Sequence, residues 1–148
     1  MDDTTHERIE AQQARYTEEV WNQGQLERTD SYFAPNAVVH NIPQGVTYDG
    51  VEEFNSWVTE VRETFPDLHV SVEETLVDGD RIVSRWTASG TNKGEMTAFG
   101  IGPTHETVEW EGVTVYQRDG ETISEGWWYY DMLGILAQVG ALPETMTA

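Results

Sequence analysis

The chain has 148 residues and carries 27 Asp+Glu against 8 Lys+Arg, giving a formal net charge of -19 and a sequence pI of about 4.2. Lys93 is its only lysine, so no basic stripe can be assembled against phosphates, and nucleic acid and anionic lipid surfaces are excluded as partners. With no Cys, disulfides, thiolate nucleophiles and Cys-based zinc sites are excluded together.

A chain of this size buries roughly 70% of its unfolded surface, so one domain spanning residues 1–148 is expected. A content of 38% hydrophobic and 11% aromatic residues predicts a folded core, because acidic disordered chains are poor in aromatics. The amino end lacks the basic and apolar regions of a leader, and no apolar run approaches the ~20 residues of a membrane span, which points to the cytoplasm. Abundant carboxylates with almost no lysine predict a surface suited to concentrated salt, with an ordinary acidic enzyme as the alternative.

In chain order, Ile9, Tyr16, Val20 and Trp21 share one helical face, and Gly24 sits where a left-handed C-cap belongs. A shorter helix is expected from Leu26 to Phe33, stopped at Ala34-Pro35, followed by a brief strand over Ala37–His40. Val51, Phe54, Trp57, Val58, Val61 and Phe65 recur at helical spacing, with Asp49 as a possible N-cap and Pro66 blocking continuation. From Leu68 the period changes to two: Leu68, Val70 and Val72, then Ile82, Ser84, Trp86 and Ala88, flank the turn Asp78-Gly79-Asp80. Strands from about Thr107 to Gln117 and from Thr122 to Tyr130 are joined through Asp119-Gly120, and a short helix follows Asp131. Helices followed by consecutive antiparallel strands predict an α+β fold: helices packed on a strongly curved, mainly antiparallel sheet, forming a cone.

Four His without H-x-E or H-E-x-x-H spacing give no metal signature, and no G-x-G-x-x-G, P-loop or G-x-S-x-G sequence supports a nucleotide cofactor or serine chemistry. Neither a metal nor another cofactor is expected. What is left is acid-base chemistry in an aromatic pocket. Alternation over Trp127–Asp131 puts Trp127, Tyr129 and Asp131 on one face, with Trp128 and Tyr130 on the other. A carboxylate among aromatics has its pKa raised towards neutrality and serves as an acid or base; an Asp between a strand and a helix also serves as an N-cap. His40, at a strand end before the Pro43/Gly45 loop, either polarises a carbonyl or bonds to backbone. Glu73-Glu74, Glu109 and Glu111 fit a solvated face better than paired catalytic acids.

Several segments together resemble the SnoaL-like polyketide cyclases, also called ester cyclases, over nearly the whole chain. They are Glu19–Gly24, Phe33-Ala34-Pro35 through Val39-His40, Asp49–Phe54, Phe65–Leu68, Arg85-Trp86 with Gly90-Thr91, and Trp127 through Asp131 to Leu133-Gly134. The resemblance implies the cone-shaped α+β barrel of the nuclear transport factor 2-like superfamily, usually a homo-oligomer, dimer or tetramer, formed through the open sheet face. It implies cofactor-free ring closure on an apolar carbonyl compound, with Asp131 as acid/base and His40 assisting. Trp21, Asn22, Trp86, Trp127 and Tyr129 are then expected to bind substrate. A non-catalytic ligand-binding or assembly module of the same fold is the alternative. The chain departs from the family at Gly126, where many members carry His directly before the tryptophan.

Overall fold

The computed structural model describes residues 3–142. Helix α1 (Asp3–Tyr16) continues into a wide π-helical turn (Thr17–Asn22), followed by a 3-10 turn (Leu26–Ser31) where the sequence suggested a short helix to Phe33. Strands β1 (Phe33–Asn41) and β2 (Val46–Asp49) form a hairpin, helix α2 (Val51–Thr64) follows, and β3 (His69–Asp78), β4 (Arg81–Thr91), β5 (Thr107–Asp119) and β6 (Thr122–Tyr130) lead to α3 (Met132–Gln138). The six strands form one curved, unclosed sheet in the order β2-β1-β6-β5-β4-β3, antiparallel throughout except where β1 runs parallel to β6. The α+β architecture expected from the pattern is therefore present, with the barrel left open between β2 and β3.

The chain's local chemistry accounts for most boundaries. Pro66 denies α2 its next backbone donor, and the helix ends at Thr64. Its N-cap is Gly50, not Asp49; the Asp49 N–H instead donates to the Glu53 carboxylate at 3.3 Å, tying the residue before the cap to the first turn. Gly24 adopts φ +69°, and the guanidinium of Arg62 packs where a side chain at Gly24 would lie. Arg62 Nη1 donates to the carbonyls of Trp21 (2.7 Å) and Asn22 (2.8 Å), satisfying acceptors at the end of the π turn.

The helices cover one face of the sheet. Phe54, Trp57 and Val58 of α2 and Ile9, Tyr16, Val20 and Trp21 of the N-terminal segment are buried against Phe33, Val39, Ile82, Val108, Tyr116 and Trp128. Register breaks at Val72/Glu74 and at Gln117/Arg118 bend the strands around this core, as bulges do. Among the described residues no helix is long and apolar enough to cross a membrane.

Candidate functional site

The concave side of the sheet and the helices over it enclose a cavity of about 130 Å³. Its walls are aromatic: Trp21, Trp57, Phe65, Trp86, Trp110 and Trp128 all line it. Burial along the lining gives the cavity a direction. Tyr16, Thr17, Ser84, Tyr116 and Trp128 are buried and form its closed end; Glu60, Thr97, Ala98 and Phe99 are exposed and form its mouth.

The π turn sets the closed end. A π-helical turn inside a helix re-aims side chains and recurs at functional sites. Here it carries Thr17 and Trp21 onto the cavity, with Tyr16 immediately before it. Asn22 fastens the turn to β3 by donating to the Val70 carbonyl (2.9 Å) and accepting from the Val70 N–H (2.7 Å). Trp21 Nε1 donates to the Tyr16 hydroxyl at 2.7 Å, and Trp86 Nε1 donates to Thr114 Oγ1 at 2.9 Å. Burial pushes the Tyr16 and Tyr116 hydroxyls well above the ordinary phenol range, so both are neutral at physiological pH.

A second polar cluster reaches the cavity from β1, the hairpin loop and β6. Tyr130 donates to Asn41 Oδ1 at 2.7 Å, Gln44 Nε2 donates to the Tyr130 hydroxyl at 3.1 Å, and Asn41 Nδ2 donates to the Tyr48 hydroxyl at 3.2 Å. Asn41 is fully buried, while Gln44 and Tyr130 line the cavity. Burial raises the Tyr130 pKa to about 12, against the opposing effect of its bonds to Gln44 and Asn41. It raises that of Tyr48 as well, with the Glu60 charge acting in the same direction. The cavity thus presents neutral hydroxyl and amide groups on an aromatic wall.

Of the residues singled out from sequence, Trp21 and Trp86 line this cavity. Asn22 lies behind it as the fastener described above. The others lie outside it: His40, Trp127 and Tyr129 are on the outer face of the sheet, and Asp131 lines a second hollow with His69, Ser71 and Glu109. The alternation over residues 127–131 is present, but it is Trp128 and Tyr130 that face inward. The physical reason is the break at Ser124: Gln117 pairs with Glu125 whereas Arg118 pairs with Ile123, so inward-facing Ile123 is followed by inward-facing Gly126, Trp128 and Tyr130. Asp131 is exposed, and its Oδ1 accepts the Gly134 N–H at 2.9 Å as the N-cap of α3. His40 lies between inward-facing Val39 and Asn41 and therefore points outward. There it stacks on Trp127 at 5.5 Å and meets the Glu125 carboxylate at 2.6 Å, while Arg81 covers Trp127 at 5.2 Å. Among the described residues no three His, Asp or Glu side chains are grouped to hold a metal ion.

With this geometry in place, the comparisons with known proteins become specific. A family model for SnoaL-like polyketide cyclase matches residues 11–139. The chain belongs to that family. A candidate polyketide cyclase from Acidithiobacillus ferrooxidans is 31% identical with a TM-score of 0.74, covering 85% of this chain and 89% of that one. A candidate SnoaL-like polyketide cyclase from Jannaschia sp. CCS1 has a TM-score of 0.78 at 23% identity, covering 87% of this chain and 89% of that one. A protein with a ketosteroid isomerase-like fold from Catenulispora acidiphila superposes with a TM-score of 0.70 at 22% identity over 86% of this chain and 90% of its own. The last two likenesses speak for the fold alone. No curated protein matches the chain.

The SnoaL-like cavity was missed where parity alone was read. Asn41, Gln44, Tyr48 and Tyr130 carried one usable signal: Asn41 follows Val39 by two residues, so a strand that buries Val39 also buries an amide needing a partner.

Proposed function

We propose that this SnoaL-like protein takes a neutral, largely apolar carbonyl compound into the cavity and polarises its oxygen with the Gln44 amide, which the Tyr130 hydroxyl holds in place. The observation that carries this reading is the Gln44–Tyr130–Asn41 chain set into an aromatic wall. Gln44 spends one N–H on Tyr130 and keeps the other for a ligand. With its pKa near 12, Tyr130 stays protonated across the physiological range; its O–H is donated to Asn41, which fixes the hydroxyl oxygen that accepts from Gln44. Donors held in place in a water-poor site stabilise charge developing on a carbonyl oxygen. The test is the infrared carbonyl stretch of ¹³C-labelled acetophenone. Binding should move it to lower frequency, Gln44→Leu and Tyr130→Phe should each reduce the shift, and an unshifted band would refute the reading.

A second reading adds catalysis. Glu60 is the carboxylate on the cavity lining among the described residues, and a base there would remove a proton beside the polarised carbonyl, the first step of a cofactor-free cyclisation or isomerisation. Deuterium exchange into the acetophenone methyl group separates the two readings. Exchange that is accelerated by the protein and lost in Glu60→Gln supports the enzyme; the absence of acceleration supports a binding module.

The homo-oligomer also belongs here. Strand register sets Leu76, Val83, Val115 and Trp127 in one row across the outer face, and Leu76 and Tyr129 are 54% and 47% exposed. A second copy packed on this face would cover them. Sedimentation of the wild type and of Leu76→Glu tests this: a dimer split by the substitution supports it, and a wild-type monomer at all concentrations refutes it.

A further inference from the structure

We infer that the closed end of the cavity is a hydrogen-bonding subsite, formed by the Ser84 and Thr17 hydroxyls, which reads a hydroxyl or carbonyl group on the leading edge of the ligand. The inference deepens the reading of the cavity as a small-molecule site and rests on it.

Its basis is what the closed end leaves uncommitted. Ser84 is 2% exposed and Thr17 7% exposed, and both line the cavity. Two neighbouring polar groups already have partners within the protein: Trp21 Nε1 donates to Tyr16, and Trp86 Nε1 to Thr114. Ser84 stands directly opposite Thr114 in the β4–β5 register and belongs to the same inward face as Ile82, Trp86 and Ala88. Its hydroxyl, like that of Thr17, makes no hydrogen bond to any described residue.

Although both residues are buried, their hydroxyl oxygens stay open to the cavity: among the described residues the one buried side-chain oxygen without a partner is Gln13 Oε1. Where such a group faces a cavity, its partner comes from whatever occupies that cavity. Ser84 stands on β4 and Thr17 on the π turn, so two independent elements bring spare hydroxyls to the closed end. A hydroxyl both donates and accepts, so this pair accommodates a phenol or a carbonyl, but makes no use of a methyl group. The neutral tyrosines beside them and the absence of Lys, Arg, Asp and Glu from the buried end of the lining select an uncharged ligand. Ser84 and Thr17 stand on β4 and the π turn whereas Gln44 comes from the β1–β2 loop, so the subsite recognises a second polar group on the ligand besides the polarised carbonyl.

The experiment uses two probes of nearly equal shape, phenol and toluene, titrated calorimetrically into the full-length protein. The readout is the ratio of the two dissociation constants. Replacing Ser84 by Ala removes one hydrogen bond to phenol and nothing from toluene, so phenol should weaken about fivefold relative to toluene. Because the Ser84 hydroxyl has no partner in the free protein, the thermal midpoint of Ser84→Ala should stay near that of the wild type. Thr17→Val keeps the side-chain shape and makes the same test from the other element, should Ser84→Ala fail to fold. An unchanged ratio in the folded variants, with both probes bound, overturns the subsite and leaves the cavity reading intact. Failure of the wild type to bind either probe overturns both.

Discussion

Gly126→Ala tests how tightly the inner wall is built. Residue 126 faces inward on β6, and the Trp128 indole folds back over it. A Cβ on residue 126 would lie 2.5 Å from Trp128 Cζ3, whereas carbon atoms in good contact sit about 3.5–4.0 Å apart. The indole must therefore retreat by roughly 1 Å. It has little room, being 3% exposed and packed against Tyr116 at 5.3 Å, Phe54 at 5.6 Å and Trp57 at 5.8 Å. Overpacking of this kind costs about 1–3 kcal/mol, offset by ~0.5–1 kcal/mol for removing glycine from a strand interior. A net loss of about 1–2 kcal/mol lowers the Tm of a chain this long by about 2–8 °C. Thermal unfolding followed by tryptophan fluorescence measures it, and Gly126→Ala/Trp128→Phe should recover much of the loss because the smaller ring vacates the space. A Tm equal to or above that of the wild type in Gly126→Ala would refute the reasoning. The same geometry bears on the family's histidine: at this position an imidazole and the Trp128 indole would compete for one volume.

Four further outcomes follow. Asp131→Ala should lose about 1 kcal/mol by uncapping α3, and Asp131→Asn much less, with acetophenone affinity unchanged in both; loss of binding in Asp131→Asn would return the residue to the site. Phe99, 39% exposed at the mouth, narrows the entrance, so Phe99→Ala should raise the association and dissociation rates of acetophenone together in stopped-flow traces. The Asp67 carboxyl is held below the usual range chiefly by the Thr91 N–H, then by the Thr91 hydroxyl. A folded pKa below the unfolded value gives stability that is complete above about pH 4 and lost as pH falls through the folded value, so Asp67→Asn should flatten the acid limb of the urea midpoint against pH. If the acidic surface is an adaptation to brine, the unfolding midpoint should climb from dilute to molar KCl; a flat curve would refute it.

Helix α2, the β3–β4 and β5–β6 hairpins and α3 were legible because each is written in local chemistry: a 3.6-residue period stopped by Pro66, Asp-Gly turns, and an Asp before a short apolar run. Strand β2 was not, because Val46–Asp49 is four largely exposed residues whose strand character comes from pairing with β1. The site was half legible. Trp86 sits on a strand with an unbroken period up to the cavity, so counting reaches it, whereas Trp21 is reached through its apolar spacing and is carried to the cavity by the π turn. For β6 the count fails at Ser124, since a single extra residue exchanges the two faces and moves Trp127 and Tyr129 outside. The π turn was invisible for a similar reason: widening the helix after Tyr16 changes which side chains point inward without altering the apolar spacing that marks the helix.

Burial also decides what sort of chemistry the interior can hold. Among the described residues, Glu60 is the only acidic side chain on the cavity lining, and it stands at the mouth on an exposed turn of α2. An isolated carboxylate deeper in would have lost its water and faced neutral tyrosines without a cation to balance it, a cost that proteins avoid or meet by protonation. Arg62, two residues after Glu60 on α2, is spent on the carbonyls of Trp21 and Asn22. The interior is therefore confined to neutral donors and acceptors, and any proton abstraction must occur where the substrate meets Glu60 at the entrance. A ligand that places its acidic C–H bond at the mouth, its carbonyl against the Gln44 amide, and its far polar group against Ser84 satisfies all three constraints in one orientation.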